Sequence, residues 1–77
     1  MAEETSEKFP RGHISKFFPK SRYGFIKDRN GRDVYFNLDE LRFVGDKDQR
    51  DIREGAEVGY DLSWTSRGEH VIRMKIY

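Results

Sequence analysis

The sequence has no cysteine, two prolines and a single tryptophan among its 77 residues. The chain therefore forms no disulfide and offers no thiolate to a metal ion or to nucleophilic catalysis. Its apolar runs are far shorter than the roughly 20 residues that span a bilayer, and residues 1–8 lack the apolar segment of a signal peptide. These absences predict a protein of the reducing cytoplasm that makes no membrane contact.

Sequence motifs of catalytic and nucleotide-binding sites are missing as well. We find no phosphate-binding loop, nucleophile elbow or dinucleotide fingerprint. His13 and His70 are far apart in the sequence and have no carboxylate or cysteine at metal-ligand spacing. The carboxylates between residues 39 and 61 fall in a hydrophilic stretch that offers no apolar pocket for acid–base chemistry. We therefore expect no enzymatic activity, no metal, no cofactor and no small-molecule substrate.

Charge is distributed unevenly along the chain, although the net charge is only +1. Residues 11–36 contain seven Lys/Arg and two Asp, whereas residues 37–61 contain four Lys/Arg and eight Asp/Glu. A local basic field attracts phosphate even when the whole molecule is nearly neutral. Charged residues also solvate any small domain, so the charge pattern by itself leaves both interpretations open.

The β-strands are predicted from the alternation of apolar and polar residues. Five segments show it: residues 13–18, 23–27, 33–38, 56–62 and 70–77. Asn30-Gly31 predicts a hairpin between the second and third strands, because both residues tolerate positive φ. The charged residues 39–55 are predicted as a long loop, with one helical turn at residues 38–41, and residues 66–68 as a turn.

One small domain is all that a chain of this length can build. We predict an all-β fold over residues 11–77, a five-stranded antiparallel barrel, because closing the sheet removes most of its exposed edges. Residues 1–10 are acidic and short of apolar side chains, so we predict a flexible acidic leader there.

Side-chain alternation in the second and third strands separates a core face from an exposed face. It points Gly24, Ile26, Val34 and Phe36 inward and places three aromatic rings on one exposed patch, those of Tyr23, Phe25 and Tyr35. Arg22, Lys27, Arg29 and Arg32 surround this patch. Rings flanked by cations suit single-stranded nucleic acid, because bases stack on the rings while the cations contact phosphates. The opposite alternation would bury Lys27, Asp33 and Asn37 instead.

The remaining strands carry two further predictions. In the final strand, Ile72, Met74 and Ile76 are predicted on one face and Val71 on the other. Trp64 shares its alternation with Val58, Tyr60 and Leu62, so we predict that it packs against the barrel or caps its end in preference to the alternative, a stacking platform for a base.

Two stretches resemble the ribonucleoprotein motifs of the cold shock domain family. Tyr23-Gly24-Phe25-Ile26 is similar to the first motif and the segment from Asp33 to Leu38 to the second, and the resemblance extends over residues 11–77. It implies an OB-type barrel of five antiparallel strands that binds single-stranded RNA or DNA, commonly as an RNA chaperone that needs no ATP. Tyr23, Phe25 and Tyr35 stand at the family's stacking rings, Asn37 at its ligand-contacting histidine and Leu38 at another of its phenylalanines.

The chain departs from the family pattern at several of these positions. Lys16 stands where the family has a stacking tryptophan, Phe18 where it usually has asparagine, and Arg22 replaces a motif glycine. Because each stacked base contributes about 1–3 kcal/mol, we predict weaker, more salt-dependent or differently selective binding than that of a typical member. Phe18, Phe43 and the positive charges of Lys16 and Arg22 are candidates to compensate.

The predicted function is therefore the binding of single-stranded nucleic acid, RNA in preference to DNA, by a monomer. The predicted binding residues are Lys16, Phe18, Arg22, Tyr23, Phe25, Lys27, Tyr35, Asn37, Leu38 and Phe43. The alternative is a protein-interaction module with weak or no nucleic-acid binding, which the lost stacking residues and the acidic middle of the chain favour. Salt separates the two, because phosphate contacts weaken steeply as salt rises.

Overall fold

The computed structural model describes residues 9–66 and 68–77. Six strands and one short 3₁₀ turn are found there: β1 (Arg11–Phe18), β2 (Tyr23–Asp28), β3 (Asp33–Asn37), β4 (Arg42–Val44), the 3₁₀ turn (Gln49–Asp51), β5 (Glu57–Thr65) and β6 (Gly68–Ile76). No helix in these residues has the length and apolar character needed to cross a membrane. Most of the predicted leader, and residue 67 of the predicted last turn, lie outside the described residues.

The strands form one sheet in the order β3-β2-β1-β5-β6-β4. Every neighbouring pair is antiparallel except β4 and β6, which run parallel with Phe43 opposite Met74. The predicted all-β class is confirmed. The predicted arrangement of five antiparallel strands is corrected by β4, and no ladder between the described residues of β3 and β6 or β4 closes the sheet. Three residues are too few to show alternation in a sequence, which is why β4 was predicted as loop.

The core is formed by apolar side chains of the strands together with Ile52, which follows the 3₁₀ turn. Its fully or nearly buried members are Ile14, Ile26, Val34, Phe36, Ile52, Val58, Tyr60, Val71, Met74 and Ile76. Burial of each such side chain contributes about 1.5–3 kcal/mol to the stability of the fold. Burial also raises the pKa of the Tyr60 phenol. Gly24 is buried among them, so the predicted inward face of β2 and β3 is confirmed.

Two irregular positions change which side chains face the core. In β1, the pairing with β2 shifts between Ile14 and Lys16. In β6, Arg73 pairs with Asp61 and Val71 with Leu62, so Ile72 has no partner in the ladder. The extra residue of a bulge reverses the alternation. The prediction that Val71 faces away from Met74 was therefore wrong: Val71 is buried with it, and Ile72 is only partly buried.

The predicted hairpin between β2 and β3 is confirmed, with a turn built on Asp28. The Asp28 carbonyl oxygen accepts from the Gly31 N–H at 3.0 Å, and Asp28 Oδ1 accepts from the N–H groups of Asn30 and Arg32 at 2.9 Å each. Only Gly31 takes a positive φ, 85°. Asn30 therefore takes part in the turn through its N–H group, and it does not adopt the left-handed conformation that the prediction assumed.

The helical turn forms later in the chain than predicted. Residues 38–40 make a hydrogen-bonded turn, whereas the 3₁₀ turn at Gln49–Asp51 begins after Asp48. The Asp48 side chain accepts a hydrogen bond from the backbone N–H of Asp51, and the Asp51 side chain accepts one from the backbone N–H of Asp48. This reciprocal pair is a capping box. Hydrogen bonds from Arg50 lower the pKa of the Asp48 carboxyl. The Asp-x-x-Asp spacing of this box is readable in the sequence.

Candidate nucleic-acid interface

Four aromatic rings cluster on the outer face of β1, β2 and β3. Phe18 lies 5.1 Å from Tyr23, and Tyr23 lies 5.8 Å from Tyr35, measured between ring centroids. Phe25 lies 6.1 Å from Tyr23 and 6.0 Å from Tyr35. The ladder places Phe18 opposite Tyr23 and Phe25 opposite Tyr35, so the register itself assembles the group. We call these four residues the ring cluster.

The rings of this cluster remain available to a ligand. Phe18 is 41% and Tyr35 38% exposed, while Tyr23 and Phe25 are half-buried. Tyr23 and Phe25 meet at an interplanar angle of 81°, and Phe25 and Tyr35 at 63°. Edge-on pairs hold rings in place without covering both of their faces. The cluster is therefore ordered before any ligand arrives, yet still offers flat apolar surface to one.

Cationic side chains lie beside the ring cluster, and two of them are already paired with carboxylates. Arg22 Nε lies 2.9 Å from Asp39 Oδ1, and Lys27 Nζ lies 3.3 Å from Asp33 Oδ1. Both pairs are exposed, and exposed ion pairs contribute only about 0–1 kcal/mol, so a phosphate can replace the carboxylate at little cost. Lys16 is exposed opposite Phe25 in the ladder, and we find no ion pair for it among the described residues.

Asn37 connects the ring cluster to the turn that follows β3. Its Nδ2 donates to the Tyr35 hydroxyl at 2.9 Å, and its Oδ1 accepts from the Asp39 N–H at 2.8 Å. These bonds fix the hydroxyl end of Tyr35 at the edge of the cluster. The amide keeps one further N–H and one further lone pair for a ligand.

Two predicted binding residues lie outside the ring cluster. Leu38 and Phe43 are partly buried and pack against the core. Phe43 belongs to β4, at the other end of the strand order from β3. Eight of the ten predicted residues thus lie in or beside the cluster, while the roles predicted for these two have no support from its geometry.

Trp64 was predicted to pack or cap, and that prediction was wrong. Its side chain is 73% exposed near the end of β5. The alternation of β5 extends to Trp64, but the β5–β6 hairpin runs beyond the core, so the same face has nothing left to pack against. A groove of about 560 Å³ lies beside this hairpin, lined by Tyr35, Glu40, Thr65, Ser66, Gly68, Glu69 and His70.

Arg22 adopts a positive φ of 62°, in the turn where the cold shock pattern has glycine. A side chain in this left-handed conformation costs about 1–2 kcal/mol. We expect Arg22→Gly to be about 1 kcal/mol more stable than Arg22→Ala, because both lose the Asp39 ion pair and only glycine relieves the backbone. Thermal unfolding of the two variants measures this, as a melting temperature higher by about 4–8 °C for glycine. Equal melting temperatures would contradict the strain.

Comparison with known proteins assigns this sequence to a family. No family model matches the sequence. The chain is similar to the Retron Se72 cold shock-like protein of Salmonella heidelberg (strain 579083-10), with 35% identity over 57 residues, which cover 74% of this chain and 82% of that protein. The two motif-bearing strands, β2 and β3, are also the ones that carry three of the four clustered rings. The chain belongs to the cold shock family, as a divergent member.

Proposed function

We propose that the protein binds single-stranded nucleic acid, preferentially RNA, on the ring cluster and the cations around it. The observation that carries the proposal is the cluster itself: four rings with neighbouring centroids 5.1–6.1 Å apart on one open face. A soluble monomer gains nothing by gathering exposed aromatic side chains. Each ring that stacks a base contributes about 1–3 kcal/mol.

The proposed roles follow from where each side chain stands. Tyr23, Phe25 and Tyr35 stack bases, and Phe18 extends the stacking surface from the end of β1. Lys16, Arg22 and Lys27 contact phosphates, the latter two by giving up their exposed carboxylate partners. Asn37 hydrogen-bonds a base edge with the donor and acceptor sites that its intramolecular bonds leave open.

The proposed biological activity is that of an RNA chaperone without catalysis. A protein that binds the unpaired form of an RNA shifts the pairing equilibrium toward that form by mass action, so it needs no ATP. Family membership supports this role. Stacking tolerates both sugars, so the preference for RNA over DNA rests on the family resemblance.

A protein-interaction module is the second candidate, and the ion pairs favour it. Arg22, Lys27 and Arg32 each face a carboxylate, which lowers the positive field that phosphate experiences. An exposed group of aromatic rings also suits a protein partner. The two functions differ in salt dependence, because only phosphate binding releases counterions.

We expect Phe25→Ala to weaken binding of a labelled pyrimidine-rich RNA strand by about 1–3 kcal/mol, because it removes the ring that contacts both tyrosines. Fluorescence anisotropy at low and physiological salt measures the affinity. With about three phosphate contacts, the logarithm of the binding constant should fall with a slope of about −2 against the logarithm of salt concentration.

The control is Tyr77→Ala, which removes an exposed ring, 39%, outside the cluster. It should bind as the wild type does. Equal affinities of Phe25→Ala and the wild type would refute stacking on the cluster. Absence of RNA binding even at low salt would refute the proposed function and favour a protein partner.

A further inference from the structure

Trp64 is the most exposed large apolar side chain that the structure describes. It is 73% exposed, compared with 38–41% for Phe18, Tyr35 and Tyr77. It lies one residue before the end of β5 and pairs with Glu69 of β6. A lone exposed apolar residue is ordinary on a protein surface, but Trp64 lies on a hairpin that borders a groove.

The groove beside the hairpin extends from the ring cluster to Glu69, the ladder partner of Trp64. Tyr35 belongs to both, as a ring of the cluster and as one wall of the groove. Glu69 lines the groove and is also the ladder partner of Trp64. In such cross-strand pairs the Cβ atoms of the two residues lie about 4.5–5.5 Å apart. Trp64 does not itself line the groove, so a strand that leaves the cluster past Tyr35 meets the indole only after it has crossed the groove and passed Glu69.

The groove's chemistry suits a base better than a phosphate. Glu40 and Glu69 contribute carboxylates, the latter 3.2 Å from Arg32 Nη2. Carboxylates repel phosphate but accept hydrogen bonds from the amino groups of bases. Its volume of about 560 Å³ lies within the range of small-molecule sites.

We infer that Trp64 is an additional stacking position for a base at the end of the bound strand, one that extends the interface across the groove from Tyr35. This inference rests on the proposed function. It gives the chain a stacking ring on the β5–β6 hairpin, whereas Lys16 removes one from β1. The bound strand is then longer than the ring cluster alone can cover.

The test uses the fact that Trp64 is the only tryptophan in the chain, so indole fluorescence reports on this site alone. Two RNA strands are compared, one of about four and one of about ten nucleotides, both within the range that OB folds bind. Anisotropy of each labelled strand is measured with the wild type, Trp64→Ala, Trp64→Phe and Tyr77→Ala.

The long strand should quench indole fluorescence and the short strand should not. Trp64→Ala should weaken the long strand by about 5- to 150-fold, while Trp64→Phe keeps most of the affinity and Tyr77→Ala keeps all of it. The short strand should bind all four proteins equally. Because the indole is exposed, the melting temperature should not change.

Three outcomes overturn the inference. Wild-type affinity of Trp64→Ala for the long strand shows that the indole does not bind. An equal loss on the short strand shows that Trp64 acts through the ring cluster or the fold. Indole fluorescence that changes with protein concentration and not with RNA assigns Trp64 to self-association. If the wild type binds neither strand at low salt, the proposed function fails first, which distinguishes the two failures.

Discussion

Gly24→Ala is expected to lower the free energy of unfolding by about 3 kcal/mol, the upper end of the usual overpacking cost. A Cβ at Gly24 would collide with the Lys16 carbonyl oxygen and come within 2.8 Å of Phe36 Cζ. The carbonyl belongs to β1 and cannot rotate away, and Phe36 is completely buried. Because so small a core rarely supplies more than about 3–5 kcal/mol, much of this variant should be unfolded at 37 °C. Urea denaturation followed by circular dichroism measures the loss.

The control for this prediction is Gly31→Ala. Gly31 has a positive φ of 85°, but a Cβ there meets nothing within 4 Å. It should cost only the backbone strain of a left-handed alanine, about 1–2 kcal/mol. If Gly31→Ala proved as destabilising as Gly24→Ala, close packing between β1 and β2 would not be the cause. Gly24 lies between Tyr23 and Phe25, so the same close approach also positions the rings.

The double variant Lys16→Trp/Asn37→His is expected to bind single-stranded RNA at least about 2 kcal/mol more tightly than the wild type, a gain of about 30-fold. It restores the two ring side chains that the cold shock pattern has at these positions. Lys16 is exposed directly opposite Phe25, and Asn37 is opposite Tyr23. New rings there lie about 4.5–5.5 Å, Cβ to Cβ, from the ring cluster. Anisotropy with the same labelled strand measures the gain.

Single variants separate the effect of the lost Lys16 cation on RNA affinity from the effects of the two added rings. Lys16→Ala removes the cation without adding a ring, so it should bind more weakly and reduce the salt slope by about 0.7. Lys16→Trp should reduce the slope by the same amount while raising the affinity. Asn37→His also breaks the amide's bond to the Tyr35 hydroxyl, so its gain should be the smaller. A double variant that binds no better than the wild type would show that a ligand does not pass these positions.

The expected effects of Phe25→Ala and of Lys16→Trp/Asn37→His on RNA affinity both depend on the balance between stacking and charge in this divergent member. The wild type keeps three rings from the family pattern and adds Phe18, but places a lysine where a further ring is expected. Stacking is insensitive to salt, and phosphate contacts are not. A chain that exchanges a ring for a cation should therefore bind its ligand with a steeper salt dependence than the ring-bearing variant.

The features that the sequence determined by itself are local ones. Side chains alternate with a period of two along any regular strand, so the inward Gly24 and Phe36 and the outward Phe25 and Tyr35 follow from the order of residues in β2 and β3. The β2–β3 hairpin was also predictable, since Asn30-Gly31 separates the two strands by a few residues. The two motifs in these strands carried the family resemblance, and the similarity to a cold shock-like protein agrees with it.

The features that only the tertiary structure decided depend on residues distant in the sequence. The parallel pairing of β4 with β6 places Phe43 opposite Met74, and Phe43 packs against the core while partly buried. The bulge at Ile72 appears only when β6 is matched residue by residue to β5. Trp64 has the alternation of a core residue, and it is exposed because its hairpin extends past the core that would have covered it. Alternation specifies which side of a strand a residue takes, whereas the neighbouring strand decides whether anything packs there.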